Sequence, residues 1–189
     1  MSDVPFLQGP RIVMEPVSLR HVPSLQRYFA DWKVIEHLST GVPWPYPDDG
    51  VFMFIRDTLL PGVAAGRLMA WAIVPKSGPH EAIGLLEWRC DPDATDHRGF
   101  WLGAEWWGHG LMTEAVMLFQ DYVFLELEVE RLFLHNSLQN PASGRVKEKT
   151  GARRLDIVDV PHHDGTNACQ RWELTRQAWA AFRGLEPSG

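Results

Sequence analysis

Hydrophobic and polar residues alternate over residues 11–17, which predicts a half-buried β-strand near the start of the chain. The period then changes to that of amphipathic helices, and the first predicted helix carries Pro23 within its first turns. Three prolines between residues 41 and 50 each fix φ and restrict the preceding residue, so this segment is predicted to be a stiff aromatic loop. The predicted helices of this half cover residues 18–30, 34–38 and 51–60, with Pro61 and Gly62 ending the last one.

The second half of the chain begins with three short apolar segments separated by turn-rich stretches, which favours an antiparallel meander. The third of these segments leads into a helix whose apolar stripe indicates packing against a sheet. A further strand, a helix, a strand pair across the Asp164 and Gly165 turn and a last helix follow. The predicted strands cover residues 68–74, 82–89, 97–102, 131–136, 155–160 and 169–174; the predicted helices begin after Gly110, at Asn140 and at Thr175.

Composition narrows the class of protein. With 189 residues, 45% of them hydrophobic, and nine tryptophans, the chain is predicted to form one domain over residues 1–189. A net charge of −6 without a basic run argues against nucleic acid as a partner and suits an amine-bearing substrate. Cys90 and Cys169 allow no disulfide framework, and neither a signal peptide nor a membrane-spanning run is seen, so we expect a cytoplasmic protein that does not enter membranes.

Gly108 and Gly110 join the strand over residues 97–102 to the helix that follows. Glycine has no Cβ, so the chain can turn tightly and bring successive backbone N–H groups close to a ligand oxygen. The helix adds its unpaired N-terminal donors and the positive end of its dipole. The pattern predicts a site for a phosphate or pyrophosphate, and an ordinary strand-to-helix turn is the alternative for the two glycines taken alone.

Three short motifs carry a resemblance to a known family. Residues 107–115 read Trp-Gly-His-Gly-Leu-Met-Thr-Glu-Ala, residues 140–143 read Asn-Pro-Ala-Ser, and residues 149–152 read Lys-Thr-Gly-Ala. In this order and spacing they resemble the GNAT N-acetyltransferase superfamily, in particular its branch of ribosomal-protein N-terminal (RimJ/RimL-type) acetyltransferases. Met112 stands where the wider superfamily has Gly or Ala, and Ala152 replaces a customary Phe. The resemblance extends from residue 11 to residue 174.

The resemblance implies an α+β fold, with a mixed, mostly antiparallel central sheet of about seven strands flanked by helices. It also implies acetyl-CoA as the cofactor, with the main chain of residues 107–112 around the pyrophosphate and the end of the preceding strand paired with pantetheine. Thr113 and Asn140 have alternative roles in the helices, the first as a first-turn residue and the second as an N-cap. The residues expected to bind the cofactor are Leu102, Gly103, Trp107, Gly108, His109, Gly110, Leu111, Met112, Thr113, Asn140 and Ser143.

Acetyl transfer from a thioester to an amine needs a deprotonated amine and a proton for the leaving thiolate. The resemblance places Ser143 near the sulfur as a candidate acid, and the alternative is a serine that only helps to satisfy backbone groups in the first helical turn. His162 is a candidate base because a histidine suits proton removal near neutral pH, and it lies near a strand end where related enzymes place an acidic base. His97 and Glu87 are the other two candidates, and a structural role is the alternative for all three.

The aromatic loop and the paired histidines suggest two further features. Trp44 and Tyr46 lie where the resembled branch walls its acceptor pocket, although they could equally fill a core edge. His162 and His163 do not predict a metal site, because adjacent residues on a strand point to opposite faces and no second ligand pair stands at a useful spacing.

Three whole-protein hypotheses follow. The leading one is an acetyl-CoA-dependent N-acetyltransferase acting on a primary amine of a small molecule or of a protein or peptide N-terminus. The second is a non-catalytic acyl-CoA-binding or regulatory module. A dinucleotide-binding oxidoreductase is disfavoured, because the third fingerprint glycine is missing and the preceding strands form a meander. Exposed tryptophans would be compatible with a homodimer.

Overall fold

The strands form two antiparallel sheets in a computed structural model that describes residues 4–185. The larger sheet has five strands in sequence order, and the smaller has three in the order β6-β8-β7. The five are β1 (Leu7–Gln8), β2 (Ile12–Pro16), β3 (Leu68–Pro75), β4 (Gly84–Arg89) and β5 (Arg98–Leu102). The three are β6 (Arg131–Ser137), β7 (Arg153–Asp159) and β8 (Ala168–Thr175).

Helices cover both faces of the larger sheet. A 3₁₀ turn at Leu19–His21 precedes α1, a second at Ala104–Trp106 follows β5, and π-helical turns at Ile55–Leu59 join α3 to α4. The helices are α1 (Val22–Phe29), α2 (Trp32–Ile35), α3 (Gly50–Phe54), α4 (Leu60–Ala64), α5 (Leu111–Leu125), α6 (Pro141–Lys149) and α7 (Arg176–Arg183). Within residues 4–185 none of them has the length and apolar content needed to cross a bilayer.

The alternation of side chains along the strands produces two hydrophobic cores. Leu86 on β4 and Phe100 on β5 belong to the core against α5, whereas Leu85 and Trp101 belong to the core against α1 and α3. Successive residues of a strand point to opposite faces, so each of these strands contributes to both cores. A side chain on β4 or β5 can therefore be assigned to one face by its position in the strand.

The two sheets meet at the start of β5 and then separate. The His97 N–H donates to the Phe133 carbonyl at 2.8 Å, and His97 Nδ1 accepts from the Phe133 N–H at 3.0 Å. The His135 N–H donates to Asp96 Oδ1 at 3.2 Å. Beyond these contacts no backbone hydrogen bond joins β5 to β6 in the described part of the chain. A gap therefore opens between the two strands.

The predicted α+β class is confirmed, with differences in detail. Eight strands lie in two sheets instead of about seven in one, because side chains at the start of β5 replace a backbone ladder to β6. Pro61 does not end the predicted helix over residues 51–60, which continues to Ala64. The Leu60 N–H bonds back five residues to Ile55, and this wider turn accommodates a proline that has no N–H. The single domain over residues 1–189 extends past the described residues at both ends and stays a prediction.

Trp179 is the one fully buried residue of the helix α7. Trp179 is 2% exposed, stacks on Phe124 with ring centroids 5.2 Å apart, and its Nε1 donates to Asp121 Oδ1 at 3.3 Å. Trp179→Ala should lower the free energy of unfolding by about 3 to 5 kcal/mol in urea denaturation, because a large cavity replaces the indole. Gln177→Ala, exposed on the same helix, should change it by less than about 0.5 kcal/mol. Equal effects of the two substitutions would contradict this role.

Candidate functional site

The glycine turn before α5 is open to solvent and has a left-handed backbone at both glycines. Gly108 has φ 79° and Gly110 has φ 75°, a region that side chains other than glycine rarely adopt. A Cβ built on Gly108 would meet no atom within 4 Å. The turn is therefore accessible from outside, as an anion site requires.

Six consecutive amides at this turn point to no acceptor. Within the described residues the N–H groups of residues 108–113 donate no hydrogen bond, and the first helical bond of α5 runs from the Glu114 N–H to the Gly110 carbonyl. The prediction that the donors begin at Trp107 is corrected, since its N–H donates to the Ala104 carbonyl at 3.3 Å. The side chains of Leu111 and Met112 are buried, so only their amides can contact a ligand there.

Arg11 brings a positive charge to the same turn, which sequence analysis missed. Its Nη1 donates to the His109 carbonyl at 2.7 Å, and its Nε donates to Glu114 Oε2 at 2.7 Å. The guanidinium comes within 3.4 Å of where a Cβ on Gly110 would lie. Glu114 offsets part of the charge, but half of the Arg11 side chain stays exposed beside the free amides.

The end of β5 presents a different set of donors from the one expected. The Gly103 N–H donates to the Ile83 carbonyl at 2.9 Å, so the predicted pairing of this amide with a ligand is corrected. Because hydrogen-bonded and non-bonded pairs alternate along an antiparallel ladder, the N–H groups of Phe100 and Leu102 face the gap. Trp107 Nε1 donates to the Leu102 carbonyl at 2.8 Å, which ties the glycine turn to the strand end.

A cavity of about 320 Å³ passes through the gap between β5 and β6. Phe100 and Trp101 both line it, although they point to opposite faces of the sheet. The cavity therefore connects the α1 and α3 side of the sheet with the α5 and α6 side. Such a passage allows two ligands to approach each other from opposite faces.

The structure brings some of the predicted residues into this cavity and leaves others out. The predicted residues that line it are Tyr46, Glu87, Asn140, Ser143 and His162. His97 lies outside it, with its ring buried and its Nδ1 accepting from the Phe133 N–H. Trp44 also lies outside it, 43% exposed, with its ring centroid 4.8 Å from that of Trp32.

On the α6 side of the cavity, three polar side chains form a short chain of contacts. Asn140 Oδ1 accepts from the Ser143 N–H at 2.9 Å, so Asn140 caps α6. Lys147 Nζ donates to Ser143 Oγ at 2.8 Å. A serine oxygen that accepts from an ammonium keeps its own hydrogen free for another acceptor.

On the opposite side, Glu87 lies across Gly99. A Cβ on Gly99 would stand 2.9 Å from Glu87 Oε1, so this glycine makes room for the carboxyl group. Burial raises the pKa of Glu87, while the Arg89 guanidinium, with its Nη2 at 2.5 Å from Oε1, acts in the opposite direction.

His162 enters the cavity from the segment between β7 and β8. The residue is 9% exposed, and its Nδ1 has no hydrogen-bond partner within residues 4–185. The adjacent His163 turns away, with Nε2 at 2.6 Å from the Val42 carbonyl oxygen. Among the described residues no group of three or more His, Cys, Asp or Glu side chains is placed to hold a metal ion.

Asp164 anchors the segment that carries His162. Burial opposes its ionised form, but hydrogen bonds from Ser137 and His37 lower its pKa. Ser137 Oγ donates to Asp164 Oδ2 at 2.6 Å, and His37 Nδ1 lies 3.0 Å from the same oxygen. The loop is thereby tied to β6 and to the α2 end, which holds His162 over the cavity.

Two buried cations line the α6 side of the cavity, and sequence analysis missed both. Arg98 is 4% exposed and Lys147 is 2% exposed. Burial lowers the pKa of Arg98 to about 10, and burial together with the charge of Arg98 lowers the pKa of Lys147 to about 7. The signals present in the sequence were an arginine inside an apolar strand and a lysine four residues after Ser143 on α6.

The comparison with known families decides the assignment of the chain. A family model described as "Acetyltransferase (GNAT) domain" matches residues 11–153. The chain belongs to the GNAT acetyltransferase family. The resemblance drawn from the three motifs is thereby confirmed at the level of the family.

Solved structures of other acetyltransferases share this fold. The acetyltransferase (GNAT family) from Bacillus anthracis has a TM-score of 0.76 at 16% identity, covering 92% of this chain and 99% of its own. The ribosomal-protein-S5-alanine acetyltransferase from Vibrio fischeri has a TM-score of 0.77 at 14% identity, covering 93% and 98%. The spermidine N-acetyltransferase from Vibrio cholerae, in complex with CoA and spermine, has a TM-score of 0.73 at 12% identity, covering 90% and 99%. At these identities the likeness shows the shared GNAT fold.

The buried ammonium of Lys147 makes stability depend on pH. Its folded pKa of about 7 lies below the ordinary 10.5, so between these pH values the unfolded chain binds more protons and the free energy of unfolding rises with pH. Lys147→Met should therefore stabilise the protein more at pH 7 than at pH 10, with a difference on the order of a few kcal/mol. Chemical denaturation at both pH values measures it. Lys149→Met, exposed on the same helix, should show no such difference.

Proposed function

We propose that this GNAT protein is an acetyl-CoA-dependent N-acetyltransferase that acts on a primary amine of a small molecule or of a peptide N-terminus. The observation that carries the proposal is the row of six free amides at the glycine turn, beside Arg11 and joined through Trp107 to the end of β5, the strand that lines the cavity. An anionic group held at the turn and an amine arriving from the other face could meet in that cavity.

The residues present fit coenzyme A. The amides of residues 108–113, the Thr113 hydroxyl and the Arg11 guanidinium would hold its diphosphate, since a helix N-terminus and a cation both favour anions. The amides of Phe100 and Leu102 and the side chain of Asn140 would bind the pantetheine arm. When bound, acetyl-CoA supplies an activated acetyl group and a thiol leaving group.

The groups around the gap between β5 and β6 suit the steps of acetyl transfer that follow cofactor binding. An N–H of β5 that faces the gap can donate to the acyl carbonyl oxygen as charge develops there. Ser143 can give its hydroxyl proton to the leaving sulfur while its Oγ takes a proton from the Lys147 ammonium, whose Nζ already donates to it. Both groups lie on strands or helices rather than on loops, which favours fixed geometry.

His162 is proposed as the base that takes the proton of the amine. It lines the cavity, and its Nδ1 has no partner among the described residues. Glu87 is the alternative, but its carboxyl group is held by Arg89. His97 is not proposed, because its Nδ1 is used to join the two sheets.

The acceptor is proposed to enter from the α1 and α3 side. Tyr46 lines the cavity there and packs edge-on against Phe29, with ring centroids 4.8 Å apart. Burial raises the pKa of Tyr46 to about 12, so the phenol stays neutral. The net charge of −6 favours the approach of a cationic amine. Cytoplasmic location and a homodimer stay predictions.

Coenzyme A binding tests the glycine turn directly. Gly108→Asp should weaken the Kd for CoA by at least about tenfold in isothermal titration, because it adds a negative charge beside the free amides. Aspartate tolerates the left-handed region better than most residues, and its Cβ would meet no atom within 4 Å.

The matched control is Gly66→Asp. Gly66 has φ 70° and similarly open surroundings, but it lies in the turn before β3. This variant should carry the same backbone strain and leave the Kd for CoA unchanged. Equal affinities of wild type and Gly108→Asp would contradict the proposed cofactor site.

A thiol-release assay over a panel of primary amines tests catalysis. Wild type should release CoA from acetyl-CoA with at least one amine, and His162→Gln should reduce kcat by about a hundredfold or more, because the proposed base is lost. Glu87→Gln should reduce kcat by less than tenfold. The reverse order would assign the base to Glu87, and CoA binding without release for any amine would favour the non-catalytic acyl-CoA module.

A further inference from the structure

Arg98 on β5 and Lys147 on α6 form what we call the basic wall of the cavity. Each of the three guanidinium nitrogens of Arg98 is buried and has no hydrogen-bond partner among the described residues. Lys147 makes its one hydrogen bond to the neutral Ser143. Within residues 4–185, no carboxylate lies within 4 Å of either cation.

The two acidic residues that line the cavity are engaged elsewhere. Glu87 lies against Arg89, with Oε1 at 2.5 Å from Nη2. Asp96 accepts from the His135 N–H and lies 3.5 Å from Arg89 Nη1. Asp96 attracts both cations of the basic wall, but only from beyond ion-pair distance.

Aromatic rings compensate the buried charge only in part. The Arg98 guanidinium carbon lies 5.2 Å from the centre of the Phe100 ring and 5.8 Å from that of Phe119, and Lys147 Nζ lies 5.2 Å from the centre of the Phe100 ring. Such contacts are weak compared with the loss of hydration that a buried cation suffers. Apolar residues of similar volume would fill this wall without that penalty, so two cations here indicate an anionic ligand.

We infer that the basic wall binds a carboxylate carried by one of the two substrates, a step that rests on the proposed N-acyltransferase function. The planar guanidinium can donate two parallel hydrogen bonds to a carboxylate, and the ammonium adds a second charge. The carboxylate can come from the acyl group of a dicarboxylic acyl-CoA such as succinyl-CoA, or from an amine acceptor that carries one. Both sources have the same chemistry and are separated by experiment.

The first arm of the test measures binding by titration calorimetry of wild type, Arg98→Met and Lys147→Met with acetyl-CoA and succinyl-CoA. If the acyl group carries the carboxylate, wild type should bind succinyl-CoA at least tenfold more tightly, and either substitution should remove this preference. Titration in two buffers of different ionisation enthalpy should show proton uptake with succinyl-CoA in wild type and none in Lys147→Met, because a carboxylate favours the charged ammonium.

The second arm measures kcat/KM with acetyl-CoA for pairs of amines that differ only in a carboxylate or a carboxamide, β-alanine and β-alaninamide among them. If the acceptor carries the carboxylate, wild type should prefer that member at least tenfold, and Arg98→Met should lose the preference. Lys149→Met removes an exposed lysine of the same helix and should keep the preference found in either arm.

A preference in either arm that depends on Arg98 supports the inference and identifies the source. No carboxylate preference in either arm, while wild type still releases CoA, overturns the inference and leaves the proposed function standing. If wild type neither binds acetyl-CoA or succinyl-CoA nor releases CoA from either, the inference and the proposed function are both overturned. Thermal unfolding adds a separate readout. If the basic wall serves to bind a ligand, Arg98→Met should raise Tm. A lower Tm with unchanged carboxylate preferences would show that Arg98 is purely structural.

Discussion

The separation of β5 from β6 is the constraint on which the rest of the site depends. His97 and Asp96 hold the two strands together at one end with contacts that include side chains. Beyond that point the strands part, and the larger sheet ends at β5 with N–H groups that face no neighbouring strand. An unpaired strand edge inside a protein is costly unless another group uses it. In this GNAT domain that edge lines the cavity where the chemistry is proposed.

Several polar contacts keep the walls of the gap in place. Trp107 ties the glycine turn to the end of β5, and Arg11 ties the same turn to the edge of the sheet. On the other side, Asp164 is held by β6 and by the α2 end, which positions His162. The binding turn and the proposed base are thus attached to separate sheets. Their relative position is set by the region where the sheets meet, by the core that the two sheets share and by a β-bridge between Ser39 and His162.

Charge burial sets this site apart from an ordinary core. A core that only had to be stable would place apolar residues at the positions of Arg98 and Lys147. Burial lowers the pKa of both cations, and the charge of Arg98 lowers that of Lys147 further, so the wall is electrostatically unfavourable in the absence of an anion. Departures from stable packing of this kind are expected at functional sites. The interaction that completes the wall is therefore most simply supplied by a substrate.

Local patterns in the sequence determined the elements, the glycine turn and the family. Gly108, Gly110 and the Asn140 cap could be predicted because each depends on residues close in the chain. The features of the site that the sequence did not predict depend on residues far apart in the chain. Arg11 contacts the glycine turn, which lies about 100 residues away in the chain, and the Gly103 N–H donates to the Ile83 carbonyl instead of to a ligand.

The tertiary structure alone decided which candidates share one cavity. His97 and His162 have the same chemistry, but strand contacts engage the first and leave Nδ1 of the second without a partner in the described chain. Whether Arg98 and Lys147 are buried together depends on how β5 and α6 pack across the gap. Hydrophobic periodicity reports which face of an element is buried. It carries no information on which buried faces meet, and that is why the fold was needed to define the site.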